Sequence, residues 1–327
     1  MRFLRHPILA CLVITLCTVL LQGTPAEAAK CLYVSSYHKG YEWSDKVEKG
    51  LRSVLEGQCE LVQIDMDTKR NKSKDYIAAK ALEIKDFIES WQPDVVITSD
   101  DNAAKYLVKP YFRDHEIPFV FCGVNWTVKE YEFPYRNVTG IVEVAPIEPM
   151  LEWAMEIEAG ARQAFYLGAN TLTERKNVER LNKAARRLGL SLEHSLVDTT
   201  GDWLAAYRAA QSYDVVILGS NAGINNWDSA RVEQSVQKET RRLSVTNHGW
   251  MMPYTLLGVT KVPEEHGAWA AKAALRILDG VSPNRIPIVS NRRRDLWVNQ
   301  EILAGTDMEL PSRLVNNAKK VSDEDES

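Results

Sequence analysis

Hydroxyl, amide and carboxylate side chains gather in short clusters along this chain. In the first half the clusters are Ser36-Tyr37-His38, the stretch 65–69, Ser99-Asp100-Asp101 and Gly123-Val124-Asn125-Trp126. In the second half they are Gly168-Ala169-Asn170, Asp198-Thr199, Ser220-Asn221 and Asn247-His248-Gly249. Such groups suit the capture of a small polar molecule. Asp100 and Asp101 can pair with an amine through charge-assisted hydrogen bonds. The rings of Tyr37 or Trp43 can stack on an apolar or aromatic portion of the same molecule, or lie against a cation. Either aspartate can also serve as a helix N-cap, a role compatible with the first.

The sets that would support catalysis or a cofactor are missing. Neither a G-x-G-x-x-G fingerprint nor a G-x-x-x-x-G-K-[ST] loop occurs, so no nucleotide cofactor is expected. Gly219-Ser-Asn-Ala-Gly223 has the glycine spacing of a nucleophile elbow, but Asn221 stands where a serine is needed. No H-E-x-x-H or H-x-E…C-x-x-C pattern is present, and His38, His115, His194, His248 and His266 are widely spaced; no metal is expected. An enzymatic alternative, a two-lobed transferase or racemase using Cys122, has only one free thiol to work with, too little for two-base chemistry.

These clusters need elements to position them. Short β-rich runs at 31–35, 60–66, 94–98 and 118–122 alternate with helical patterns at 44–55, 73–91 and 102–108. Ser73 is a helix cap ahead of Ile77, Ala81, Ile84, Ile88 and Trp91. The pattern then restarts, with strands expected at 164–167, 192–197, 214–218 and 243–246 and helices at 173–188 and 203–211. The run Pro93-Asp-Val-Val-Ile-Thr-Ser99 matches Tyr213-Asp-Val-Val-Ile-Leu-Gly219, each as the third strand of its half. This order predicts two α/β lobes with parallel sheets. In open α/β sheets, ligands bind beyond the carboxyl ends of the strands, which is where every cluster above falls. The lobe boundary is expected near 138–142. A last helix over 268–278, ended by Gly280, leads into a tail that should pack back across both lobes.

Composition bounds the function class. The chain has 327 residues, about the size of two domains. It has 45% hydrophobic and 26% charged residues and a formal charge of −4, which argues against a nucleic-acid partner. The run Arg292-Arg293-Arg294 reads as a solvated surface. Residues 1–28 read as an export signal: Arg2 and Arg5, an uncharged run from 8 to 21, then Ala26-Glu27-Ala28 with cleavage near Ala28. The expected compartment is therefore the periplasm. There, disulfides are permitted. Cys31 and Cys59 begin the first and second strands, which are neighbours in either doubly wound order, so a disulfide between them is expected; the alternative is two buried thiols. Cys122 is left as the unpaired thiol, close to the ligand edge.

Ser35-Ser-Tyr-His-Lys-Gly-Tyr-Glu-Trp-Ser44, Met66-Asp-Thr-Lys-Arg70, Asp94-Val-Val-Ile-Thr-Ser-Asp-Asp101 and Pro118-Phe-Val-Phe-Cys-Gly-Val-Asn125 resemble the periplasmic sensor domains of some bacterial histidine kinases. Those are similar in turn to ABC-transporter substrate-binding proteins of the tryptophan-binding type. The run from Asp295-Leu-Trp-Val-Asn299 to Leu310-Pro-Ser-Arg-Leu-Val315 resembles the end of that second group. The likeness spans nearly the whole chain after residue 28 and is weakest over 143–240. It implies a type I periplasmic-binding-protein fold: two Rossmann-like lobes joined by several crossings, with a ligand in the cleft. It places first-lobe contacts on Tyr37, Trp43, Ser99, Asp100 and Asn125, and second-lobe contacts on Asn170, Ser220 and Asn247. The expected organisation is a signal peptide (1–28), an N-terminal lobe (29–140), a C-terminal lobe (141–265), a terminal helix and tail (266–321) and a disordered acidic end (322–327). The implied role is a monomeric solute-binding protein that passes a small ligand, such as an amino acid or related amine, to a separate ABC permease. The alternative is a sensor that signals to a separate histidine kinase or chemoreceptor.

Overall fold

The computed structural model describes residues 28–68 and 70–321. The expected leader, apart from Ala28, and the acidic end at 322–327 lie outside the described residues.

The first half runs β1 (Lys30–Ser35), α1 (Glu42–Leu55), β2 (Glu60–Asp65), α2 (Lys74–Trp91), β3 (Val95–Ser99), α3 (Asp100–Ala103), a π turn at Ala104–Val108, α4 (Lys109–Tyr111), β4 (Phe119–Asn125) and β5 (Val138–Glu143). The second runs α5 (Ile147–Ile157), β6 (Gln163–Ala169), α6 (Leu172–Arg187), β7 (Ser191–Val197), α7 (Thr200–Ala210), β8 (Val215–Leu218), α8 (Ser229–Glu239), β9 (Leu243–Thr246) and β10 (Leu257–Lys261). The chain closes with α9 (Pro263–Leu278), β11 (Val289–Ser290), β12 (Arg294–Val298), α10 (Gln300–Ala304), α11 (Ser312–Asn317) and β13 (Lys319–Lys320).

Two sheets result. One has the order β11-β5-β4-β3-β1-β2, the other β13-β12-β10-β9-β8-β6-β7. Setting aside the late strands, both follow the same 2-1-3-4-5 winding, with a topological switch beside the first strand. Every pairing is parallel except β12 on β10. The matched third strands, β3 and β8, are fully buried, because helices cover both faces. Ser73 caps α2 as expected, accepting from Tyr76 N, and Thr171 and Thr199 also cap α6 and α7.

Among the differences between the sequence expectation and the structure, three concern boundaries. The boundary drawn at 140/141 falls inside β5, which belongs wholly to the first sheet. α9 begins at Pro263, which suits the first helical turn, rather than at 268. The helix expected over 102–108 is the centre of a longer run that starts at Asp100 and carries a π turn.

The chain crosses between the sheets three times, at 143–147, 261–263 and 290–294, because α9 and β11 return to the first sheet before β12 joins the second. α9 packs on α1 so closely that a Cβ on Gly267 would lie 1.9 Å from the Val47 carbonyl oxygen, and one on Gly50 2.2 Å from that of Glu264. This contact seats the start of α9 against the middle of α1, around Val47 to Leu51. At the opposite, amino end of the first sheet, a disulfide joins Cys31 and Cys59, with Cα atoms 6.0 Å apart.

Candidate functional site

At the carboxyl ends of the fifth strands the two sheets meet. Glu143 closes β5, Lys261 closes β10, and their side chains form a largely buried ion pair. The Lys261 ammonium also lies 4.8 Å from the centre of the Trp43 ring, which tilts against His266 at 5.5 Å. The α1–α9 packing makes this possible, since Trp43 is in the first turn of α1 and His266 in the first turn of α9.

Tyr37, just past β1, contacts the ring of Tyr41 edge-on at 5.2 Å. Burial, then chiefly the negative charge of Asp100, with those of Asp101 and Glu143, raises its phenol well above the usual value. Asp100 is 3% exposed and takes a left-handed φ of 67°. Gly123 and Trp126, at the end of β4 and just beyond it, also have positive φ, 68° and 62°. Backbone in that region is costly for residues other than glycine and concentrates at functional sites.

The remaining expected residues fall into two groups. Asn125 donates its amide to Asp101 at 2.6 Å, and Tyr131 donates to the same carboxylate at 2.6 Å. Asn170 bridges Asp198 and Arg175. Ser220 donates its N–H to the buried carboxylate of Glu174 at 3.0 Å, while its hydroxyl accepts from Ala222 N. Asn247 is half-buried just beyond β9. Ser99 is turned inward: its hydroxyl bonds to that of Tyr33 at 3.0 Å, and its carbonyl accepts from Ser36. Tyr37, Trp43 and Asp100 therefore gather around the Glu143–Lys261 pair. Asn170, Ser220 and Asn247 lie at the carboxyl ends of the second sheet, the first two tied by contacts within their own lobe. The short helix after β3 has Ser99 at its N-cap position and no side-chain capping bond.

Three residues at this edge carry no sequence signal strong enough to single them out, Glu143, Lys261 and His266; a fourth, His248, belongs to the strand-end cluster 247–249. Burial, then the charge of Lys261, pushes both histidines down to about 3. Their four ring nitrogens, and the Trp43 indole nitrogen, are buried without a hydrogen-bond partner among the described residues. Native proteins seldom leave such groups unmatched, so a ligand or water is the expected partner. Cys122 is buried next to Asp100 and Glu143, and burial foremost raises its thiol well above its usual value. That leaves it a poor nucleophile. Among the described residues no group of three or more His, Cys, Asp or Glu could hold a metal ion. No helix there is long and apolar enough to cross a membrane.

The family model described as ABC transporter substrate binding protein matches residues 42–322. No curated protein matches. Among solved structures, an ABC domain in complex with L-Trp from Streptococcus pneumonia is 16% identical, with a TM-score of 0.61 over 89% of this chain and 99% of that one. A ligand-free, open substrate binding protein with adhesive properties from Clostridium difficile is 15% identical, with a TM-score of 0.73 over 90% of this chain and 99% of that one. A periplasmic ribose ABC transporter from Conexibacter woesei is 14% identical, with a TM-score of 0.56 over 85% and 95%. The fold shared with these is the type I periplasmic-binding-protein architecture.

Proposed function

The chain belongs to the ABC transporter substrate-binding protein family, and from that premise we propose that it captures an amino acid or related amine between its sheets and delivers it to a separate ABC permease. The observation that carries this reading is the gathering of Tyr37, Trp43 and Asp100 at the Glu143–Lys261 pair, where the two sheets meet. An ammonium group would sit against Asp100 and the acidic surroundings of Tyr37. A side chain with an apolar or aromatic portion would lie on Trp43 or Tyr37. Asn125, Asn170, Ser220 and Asn247 would supply hydrogen bonds from the strand ends. Ser99, already bonded to Tyr33 and Ser36, would act by holding the turn that carries Asp100. Only a ligand that touches both lobes can favour a closed form over an open one. The leader-like first 28 residues support export to the periplasm.

A screen of free amino acids and biogenic amines, read by tryptophan fluorescence and melting temperature, tests the proposal. A ligand bound only to the folded form should raise the melting temperature by mass action. Asp100→Asn should weaken an amine by about ten- to hundredfold, the loss of a charge-assisted hydrogen bond. The fold should survive, because asparagine tolerates the left-handed backbone. Unchanged affinity in Asp100→Asn and Trp43→Ala would remove this site assignment. Turnover of any screened compound would favour the enzymatic alternative.

A further inference from the structure

The Arg292-Arg293-Arg294 run reads in sequence as solvated surface, yet in the fold it forms one wall of a groove of about 620 Å³. That volume suits a small molecule. The opposite wall is α6, which presents Arg180, Lys183 and Arg187 at successive turns. Between them lie the first crossing, Val144 to Pro149, and the Trp126 ring. Six cationic side chains thus line the groove with a single acidic one, Glu148, in a chain whose formal charge is −4.

Internal pairing does not balance that charge. Glu148 is taken by Arg187. Arg180 lies over the Trp126 ring at 4.3 Å. Lys183 and the guanidinium groups of Arg292, Arg293 and Arg294 have no carboxylate partner among the described residues. The backbone of the arginine run is nevertheless held in place, because the N–H groups of Arg292 and Arg293 donate to Glu265 at 3.0 and 2.8 Å. Like charges fixed this close repel one another, and an anion placed among them turns that repulsion into attraction. Arginine favours phosphate and carboxylate partners because its planar fork can bind two oxygens at once.

We propose that this groove is a second binding site, for a small polyvalent anion carrying clustered phosphates or carboxylates. It contains none of the eight residues assigned to the amine site, so it stands whether or not that assignment holds. Titration calorimetry on the full chain at low ionic strength tests it, with tripolyphosphate in one arm and citrate in the other. The expected result is saturable one-to-one binding in at least one arm, weakening as salt is added. The arm that binds tighter identifies the anion chemistry. The triple variant K183Q/R292Q/R293Q should lose affinity by about tenfold or more, while Asp100→Asn should leave it unchanged. If the triple variant folds poorly, Lys183→Gln alone, on the exposed side of α6, should still weaken binding about threefold. No saturable binding in either arm, or binding that these variants leave intact, would overturn the proposal.

Discussion

Glu174 shows how much one buried side chain can organise. It is 1% exposed and accepts hydrogen bonds from the Tyr166 hydroxyl, the Asn177 amide and Ser220 N. Glu174→Ala would leave those donors unsatisfied, at about 1–3 kcal/mol for a buried one, and would free the turn that carries Ser220. Chemical denaturation should show a clear loss of stability. Burial raises the Glu174 pKa despite these bonds. A raised carboxylate pKa means the folded state prefers the protonated form, so its contribution is complete at acid pH and declines as pH climbs through the raised value. Wild type should lose stability relative to Glu174→Gln on moving from pH 4.5 toward neutrality, and a flat difference would contradict this. His266 behaves in the opposite sense. Its pKa is depressed from 6.5 to about 3, so its stability contribution is full above 6.5 and falls away as pH drops toward 3. His266→Phe, measured by melting temperature across that window, should lose less stability than wild type. At this scale the sequence was only partly legible. Asp100 and Ser220 stand out because they end apolar strands, whereas Glu143 and Lys261 are 118 positions apart and only the fold makes them neighbours.

The elements were easier to read where the chain is long and periodic. Ser73 capping α2, and Val95 to Ser99 as a buried strand, follow directly from spacing and β-branched content. β10 escaped because its five residues include Gly258 and a threonine, giving too short an apolar run to count. α5 escaped because Pro146 and Pro149 punctuate its start. The contact between α1 and α9 was also invisible, since glycines in helical patterns look merely tolerated until the partner is known. Gly267→Ala tests the importance of that contact. The added methyl meets backbone, not a flexible side chain, so α9 must shift away from α1, at about 1–3 kcal/mol. The melting temperature should fall, and because the shift moves His266 relative to Trp43, ligand affinity should fall with it. A variant of unchanged melting temperature would show that the two helices can part freely.

Across the whole molecule, three chain crossings are tied to one another. Glu143 pairs with Lys261, Val144 N donates to the Asn291 side chain at 2.7 Å, and Glu265 holds the Arg292 and Arg293 amides. Glu265→Ala releases two of these bonds without touching a residue assigned to the amine site. Spin labels on the two lobes should then report a broader distance distribution than in wild type, and an unchanged width would show that the crossings are held by packing alone. The same connectivity bears on the order in which the chain can be completed. The second sheet's first five strands, β6 to β10, are contiguous in sequence, whereas one face of the first sheet is covered by α1 together with α9, whose core alanines Ala270, Ala271, Ala273 and Ala274 are buried there. A chain emerging from a ribosome or a translocation pore therefore exposes β1 to β5 first but cannot finish covering this face until α9 appears. Throughout that interval the part of the apolar face that α9 covers, with Val95, Ile97 and Val120, is open to water, and the second half waits longer still, for Val298, Ile302 and Leu314 of β12, α10 and α11.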